Sequence, residues 1–225
     1  MSQSGQVFLT VRGKHRARDL EGARKLHNEI AGSPQAIAAA RALSDLTHNV
    51  FVPIEDAPTS PPSNELLFLD VWEDAKGITE FFAAEDVQKG GERLFSSRDA
   101  SVWVPAVGAF GFELPAPSRR TERAIGLVRG PVGSPEKAIE IFRKETEKRV
   151  RDARKLGQIS HQLYVKLAPP GGRGPQELLG VDVWFDVKGM GEHYQALDMG
   201  AYAAAFTGAP DATVWAAAPG EWAEW

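Results

Sequence analysis

Two stretches of the chain are apolar except for one aspartate, and their residues divide into two faces if successive side chains alternate as they do in a β-strand. Leu66–Trp72 places leucine and valine on one face and places Asp70 and Trp72 on the other. Leu178–Trp184 repeats this order of residues. We therefore predict a strand in each stretch, with one aspartate and one tryptophan sharing a face.

The two stretches belong to a longer internal repeat. Segments 65–105 and 177–217 match without a gap at a shift of 112 residues, and about 16 of the 41 positions are identical, including two tryptophans. Upstream of them, the run that begins at His48 is similar to the run that begins at His161. We interpret the chain as a duplication of a unit of about 110 residues.

Each predicted unit has the element order β-α-β-β-α-β, which is the ferredoxin-like order. Gly32-Ser33-Pro34 predicts two shorter helices or a kink in the first unit, whereas Ser134 predicts the start of one long helix in the second. Asp74 and Asp186 are expected at the starts of the later helices. The predicted strands are Val7–Arg12, Thr47–Pro53, Leu66–Trp72, Ala100–Val104, Ala124–Arg129, Ser160–Leu167, Leu178–Trp184 and Ala212–Ala216.

The linkers and the charged runs complete this organisation. Residues 1–114 and 122–225 are predicted as the two domains, joined by the linker Leu114–Thr121. The run Ala168–Gln176 is rich in proline and glycine and predicts a loop. Arg143–Lys155 mixes both charge signs at helical spacing, which predicts a solvated helix face.

Composition and charge exclude several classes of function. The 225 residues include 26 basic and 30 acidic ones, and a net charge of −4 argues against nucleic acid as the partner. The absence of cysteine excludes thiolate metal sites and cysteine nucleophiles, and the five histidines are dispersed, so we expect no metal site. We see no signal peptide and no apolar run of membrane-spanning length, and we expect a cytoplasmic protein. The expected partner is a small molecule.

The runs Ser160–Tyr164 and Asp182–Gly189, with their counterparts in the first half, resemble the dimeric α+β barrel superfamily. Within it, the chain is most similar to the antibiotic-biosynthesis monooxygenase family. The resemblance implies an α+β fold in which two tandem ferredoxin-like units pack their antiparallel sheets into one barrel. Members usually form this barrel as a homodimer, so the chain would be a pseudo-dimer by itself, and further homodimerisation stays open.

The resemblance also implies several chemistries, because this scaffold carries many activities. Related proteins include cofactor-independent oxygenases of anthrone-type phenols, haem-degrading proteins, isomerases and polyketide cyclases. In the anthrone-oxidising relatives, the strand tryptophan works with an asparagine four residues earlier and with a later arginine. Here Phe68 and Gly180 occupy the asparagine positions, so that residue is missing in both copies.

Two pairs of residues are candidates for proton transfer. Asp70 and Asp182 lie in otherwise apolar strands, where a carboxylate is costly to bury unless it is paired. Each is a general base on one interpretation and part of a structural ion pair on the other. His48 and His161 lie at matching positions, where a histidine can accept a proton near neutral pH or serve as a structural contact.

Aromatic residues and one further histidine are the remaining candidates. Trp72 and Trp184 stack on a substrate on one interpretation and pack in the core on the other. Tyr194 and Tyr202 are expected to line the same cavity. His193 is a third catalytic candidate and also a candidate axial ligand for haem, because the haem-degrading relatives use a histidine on this helix. The asparagine that those relatives carry on the first strand is absent from 124–129.

Our leading hypothesis is a monooxygenase-like enzyme that needs no cofactor and acts on an aromatic or polyketide-like molecule. His161 or Asp182 would deprotonate the substrate, Trp184 would stack on it, and Tyr194 or His193 would orient an oxygen atom. The alternatives are a small-molecule-binding or scaffold protein without chemistry, and a haem protein. Small residues at 199–206 predict an open cavity in the second half, with the first half serving as scaffold.

Overall fold

The computed structural model describes residues 5–113, 123–168 and 176–225. The predicted linker Leu114–Thr121 and most of the predicted loop at 168–176 lie outside these residues. The strands are β1 (Val7–His15), β2 (Asp45–Pro53), β3 (Glu65–Trp72), β4 (Phe95–Pro105), β5 (Phe112–Glu113), β6 (Ala124–Pro131), β7 (Gln158–Lys166), β8 (Glu177–Trp184) and β9 (Asp211–Ala217). The helices are α1 (Leu20–Ile30), α2 (Pro34–Ala42), α3 (Ala75–Ala83), α4 (Glu85–Leu94), α5 (Pro135–Lys155), α6 (Val187–Gln195) and α7 (Met199–Ala203).

The described residues form two compact units. The first unit contains residues 5–53 and 62–104 together with a late segment, Ala218–Trp225, which we call the closing segment. The second unit contains the loop Ile54–Pro61 and the described part of 105–217. The domain boundary predicted at 114–122 stays a prediction, since those residues are not described.

Both units have the same antiparallel strand order. The first sheet runs β4-β1-β3-β2, and the second runs β9-β6-β8-β7, with the short β5 paired to β7. In the first sheet, Asp70 lies opposite His48 on one neighbouring strand and opposite Leu9 on the other. This is the ferredoxin-like order, so the predicted succession of elements is confirmed.

The helices begin where the sequence predicts. The side chains of Ser33, Asp74, Ser134 and Asp186 each accept a hydrogen bond from a backbone N–H of the first turn. The break at Gly32-Ser33-Pro34 separates α1 from α2, as predicted. The helix pair α3 and α4, and the short α7, were not resolved from the sequence.

The core of each unit contains the tryptophans of its strands. Trp72 and Trp103 are fully buried in the first unit, and Trp184 and Trp215 are fully buried in the second. The indole N–H of Trp103 donates to Thr10, at 2.9 Å. The burial of Trp72 and Trp184 agrees with the interpretation that these side chains pack in the core. No helix among the described residues has the length and apolar character needed to cross a bilayer.

Candidate functional site

The second unit contains a cavity of about 530 Å³. Its lining residues come mainly from strands β6, β7, β8 and β9, from helices α5, α6 and α7, and from the loop Ile54–Pro61. The apolar lining residues include Leu127, Val128, Phe142, Val150, Met190 and Val214. A mainly apolar cavity of this size with a few polar groups suits a small organic molecule.

A hydrogen-bonded aspartate and histidine lie in the wall of this cavity. His161 on β7 faces Asp182 on β8 directly across the sheet, and its Nδ1 lies 2.6 Å from Asp182 Oδ1. A carboxylate can only accept hydrogen bonds, so Nδ1 carries a hydrogen, and in the neutral form of the ring the lone pair is on Nε2. The sequence predicts both residues as catalytic, and the structure brings them together.

Two further donors hold the carboxylate of Asp182. Gln158 Nε2 donates to Oδ1 at 2.9 Å, and the hydroxyl of Tyr194 donates to Oδ2 at 2.8 Å. Burial, with the Asp182 charge added, raises the pKa of Tyr194 well above its usual value. Tyr194 therefore stays protonated and acts as a donor, and its hydroxyl fixes the aspartate from the side opposite His161.

The second ring nitrogen of His161 is placed to accept a proton. Nε2 lies 3.3 Å from the hydroxyl oxygen of Thr146 on α5, and both residues line the cavity. Because Asp182 fixes the ring through Nδ1, the lone pair on Nε2 is held in one direction beside the threonine hydroxyl. With Nδ1 carrying the hydrogen, the Thr146 hydroxyl is the donor to Nε2. This is the arrangement of a general base oriented by a carboxylate.

Two glycines in the strands make room for this arrangement. A Cβ atom at Gly126 on β6 would overlap the hydroxyl of Tyr194, so glycine is what allows that hydroxyl to reach Asp182. A Cβ at Gly180 on β8 would lie 2.9 Å from Val128 Cγ1. Glycine inside a strand often marks such a close approach.

We expect Gly126→Ala to displace Tyr194 and to leave an oxygen of buried Asp182 without its donor. The free energy of unfolding should fall by about 1–3 kcal/mol, measured by urea titration. Gly191→Ala is the matched control, because a Cβ there meets no atom within 4 Å and alanine favours the helix. Equal stability of the two variants would contradict this role of Gly126.

His193 and Tyr202 also line the cavity, as the sequence predicts. Burial lowers the pKa of His193, while the charge of Asp182 opposes that shift, so the ring is neutral at neutral pH. Burial raises the pKa of Tyr202 to about 12. Its ring contacts Phe142, with centroids 5.1 Å apart. Both residues therefore present neutral polar groups to the cavity.

Trp184 lies behind the cavity wall. It is fully buried and is not among the residues that line the cavity. Its ring contacts the rings of His193 and Tyr194, with centroids 5.1 and 6.0 Å away. Trp184 thus supports two lining residues, and the structure does not place it where a ligand would stack on it.

The first unit contains the corresponding aspartate–histidine pair, and other side chains fill the space around it. His48 Nδ1 lies 2.8 Å from Asp70 Oδ1, and both side chains are buried. The other ring nitrogen of His48 lies 2.9 Å from Nε2 of His27 on α1. The ring of Phe68, which replaces Gly180 of the second unit, packs against both histidines. The predicted ligand contacts His48, Asp70 and Trp72 therefore lie in the protein interior.

The closing segment also covers the His48–Asp70 pair. Backbone hydrogen bonds join His48 to Trp225 in both directions, and their rings stack at 4.8 Å. Trp222 packs on His27 at 5.2 Å, and Glu224 accepts from the backbone N–H of Val50. Burial together with His48 lowers the pKa of His27 to about 4. Burial alone would lower the pKa of His48, but the Asp70 carboxylate outweighs burial and raises it.

A groove of about 460 Å³ also occurs in the first unit, away from this pair. Its lining residues include Leu9, Ile78, Phe82 and Arg98, and it is lined neither by His48 nor by Asp70. The side chain of Leu9 stands where the second unit has Gly126. The two units therefore differ in whether the aspartate–histidine pair meets a cavity.

The residues around the cavity do not fit a haem. A metal-bound histidine almost always donates its second ring N–H to a partner, but the imidazole ring of His193 has no hydrogen bond within the described residues. Haem also carries two propionates, whereas Arg149 is the one arginine or lysine among the described lining residues, which include the carboxylates of Glu55 and Asp56. We therefore derive no step through haem.

Four residues of the site were missed by sequence reasoning. They are Gly126, Thr146, Arg149 and Gln158, and all line the cavity. Arg149 lies in the run Arg143–Lys155, for which a solvated face was predicted, but it is half-buried and lines the cavity. Glycine in a predicted strand was the available signal for Gly126.

Comparison with known structures identifies the fold. The chain is similar to an anthrone oxidase-like protein at 13% identity, with 96% of this chain and 92% of the other covered and a TM-score of 0.65. A proposed monooxygenase from Fusobacterium nucleatum matches at 9% identity over 96% and 94%, with a TM-score of 0.61. A variant of chlorite dismutase from Candidatus Nitrospira defluvii matches at 12% identity over 97% and 93%, with a TM-score of 0.60.

These neighbours are structures of the dimeric α+β barrel superfamily. The predicted resemblance and the predicted fold class, α+β with ferredoxin-like units of the barrel type, are therefore confirmed. No protein-family model matches the chain, and no curated protein matches it.

Proposed function

We propose that the second unit is the catalytic centre of an oxidative enzyme that acts on a small aromatic molecule bearing an acidic C–H or O–H group. The observation that carries this proposal is the hydrogen-bonded pair of His161 and Asp182 in the wall of a mainly apolar cavity. An imidazole oriented by a carboxylate, whose other nitrogen contacts only a rotatable threonine hydroxyl in the wall of such a cavity, is suited to removing a proton from a bound organic acid.

His161 carries the first step in this proposal. Nε2 takes the proton from the substrate, and the imidazolium that forms is stabilised by Asp182 through Nδ1–H. Gln158 and Tyr194 keep the carboxylate in place while the charge develops. His193 and Tyr202 are neutral polar groups of the cavity, placed to orient a carbonyl or hydroxyl oxygen of the substrate.

The electrons of the deprotonated substrate then go to dioxygen. The carbanion or its enolate form adds to O₂, and the peroxide anion takes back the proton held by His161. Loss of water from the hydroperoxide leaves a ketone, so that a CH₂ group and one O₂ give C=O and one H₂O. The electron-rich anion supplies the electrons itself, so the residues of the chain need only bind, deprotonate and orient it.

The fold neighbours support an oxidative reaction in general terms. Those compared above include an anthrone oxidase-like protein, a proposed monooxygenase and a chlorite dismutase. The fold is shared at 9–13% identity, so the substrate is inferred from the cavity and not from these names.

Oxygen uptake tests the proposal. The intact chain is incubated with anthrone and with a substituted hydroquinone in an oxygen-electrode cell, and the products are identified by mass spectrometry. We expect enzyme-dependent uptake with at least one substrate. Each O₂ consumed should give one ketone and one H₂O from the CH₂ group of anthrone, or one quinone and one H₂O₂ from the hydroquinone. Tight binding of these compounds with no uptake above the uncatalysed rate would contradict the proposal and favour a binding protein. A Soret band after addition of haem would overturn our exclusion of haem.

A further inference from the structure

Arg149 is a cation in the cavity wall that has no ion-pair partner in the described part of the chain. It lies on α5, it is half-buried, and it lines the cavity one helical turn after Thr146. Among the described residues it forms no ion pair and no hydrogen bond with another side chain. A half-buried guanidinium beside apolar walls usually has an acceptor, since it offers five N–H donors.

The nearest carboxylates in the helix are occupied by other cations. Glu145 and Asp152 lie one turn before and after Arg149, at the spacing that allows helical ion pairs. Glu145 is bound by Lys148 at 2.5 Å, and Asp152 is bound by Lys155 at 3.4 Å. Arg149 is therefore left facing the cavity.

The carboxylates that line the cavity do not pair with Arg149 either. Asp182 already accepts hydrogen bonds from His161, Gln158 and Tyr194. Glu55 and Asp56 also line the cavity, but both are exposed on the loop Ile54–Pro61 and form no ion pair with Arg149. Water screens such exposed charges from a ligand held further inside.

We propose that Arg149 is the binding site for an anionic group of the ligand, so that the substrate is an aromatic molecule carrying a carboxylate or sulfonate. This proposal rests on the function proposed above, because it identifies the molecule that binds Arg149 as the substrate of that reaction. Thr146 contacts His161, and Arg149 follows Thr146 by three residues, which separates their Cβ atoms by about 5–6 Å. The anionic group of the ligand thus lies about one helical turn from the atom that loses its proton.

A pair of fluorescent probes that differ by one charge tests this directly. 1-Anilinonaphthalene-8-sulfonate and N-phenyl-1-naphthylamine share their ring system, and only the first carries a sulfonate. We expect the intact chain to bind the sulfonate more tightly. Arg149→Met should weaken sulfonate binding by about tenfold or more and change binding of the neutral probe by less than about twofold.

Two further variants control the measurement. Arg151→Met removes the same charge from an exposed position of α5 and should leave both affinities unchanged. Gly191→Trp inserts a large ring into the cavity at a position where a Cβ meets no atom within 4 Å, and it should weaken both probes. Equal sulfonate binding by Arg149→Met and the parent chain overturns the proposal, as does unchanged binding of both probes to Gly191→Trp.

These measurements do not depend on turnover. If no compound supports oxygen uptake but Arg149→Met loses the sulfonate selectively, the anion site stands and the oxidative function fails. If oxygen uptake occurs and Arg149→Met binds both probes with the affinities of the parent chain, the function stands and the anion site fails.

Discussion

Asp182→Asn is expected to lower kcat/KM for the oxygen-dependent reaction by about 100-fold or more. The amide has nearly the same shape as the carboxylate, but it is neutral and presents N–H groups, so it cannot hold His161 in the required tautomer or stabilise the imidazolium. The measurement is the initial rate of oxygen uptake against concentration for the substrate turned over most rapidly. His161→Gln removes the base itself and should show a loss of similar size.

The first unit supplies the matched control. Asp70→Asn changes the same residue type at the corresponding strand position, in a pair whose histidine contacts His27 and Trp225 instead of a cavity. We expect Asp70→Asn to keep kcat/KM within about twofold of the parent chain while lowering stability. Equal losses of activity in Asp70→Asn and Asp182→Asn would contradict the assignment of catalysis to the second unit.

Asp45→Asn is expected to raise the free energy of unfolding at pH 8 by about 3 kcal/mol. Asp45 is buried at the start of β2, and its Oδ1 has no hydrogen-bond partner among the described residues. Burial and the charge of Asp70 raise the pKa of Asp45 to about 7, from an ordinary value of 3.8. Because the folded state holds this proton more tightly than the unfolded state, stability falls as the pH rises through that interval.

The gain from Asp45→Asn should therefore depend on pH. It should be small near pH 4, where the folded state keeps the proton and the unfolded state is only near the midpoint of its titration, and it should reach its full value above pH 7. Urea titrations at several pH values measure it. Glu73→Gln removes one negative charge from an exposed neighbouring position and should change stability by less than about 0.5 kcal/mol throughout. A gain that is the same at pH 4 and pH 8 would refute the explanation.

The corresponding position in the second unit indicates why Asp45→Asn should be tolerated. Gln158 is the residue of β7 that corresponds to Asp45, since each is paired with the tryptophan at the end of the next strand. Gln158 donates its amide N–H to Asp182. An amide at position 45 would bring to the first unit the residue type that the second unit already carries.

Most of the elements, and the pairing of the catalytic candidates, could be predicted from the sequence. Alternation along Leu178–Trp184 placed Asp182 on a face with Trp184, and the matching histidines suggested a partner on the next strand. Gln158 could not be predicted in this way, because residues three apart point to opposite faces of a regular strand. A register shift between Gln158 and Ser160 is what brings Gln158 and His161 to the same carboxylate.

The difference between the two units was predictable only in part. The cavity expected in the second half from the small residues at 199–206 is present, but the lining residues of that segment are Met199 and Tyr202. The exchange of Phe68 for Gly180 is visible in the sequence. The rings of Trp222 and Trp225 seal the first unit from a segment that follows β9 in the chain. No local pattern relates that segment to His48, because the contact depends on the tertiary fold.

The sealed pair of the first unit gives every experiment on this chain an internal reference. Two histidines in one molecule, His48 and His161, each donate to an aspartate at 2.6–2.8 Å, yet only one of them lines a cavity. In a magnetic resonance titration, a ligand should shift the ring signals of His161 and leave those of His48 in place. Solvent composition, temperature and sample age act on both rings. The difference between the two signals therefore reports whether a ligand occupies the cavity of the second unit.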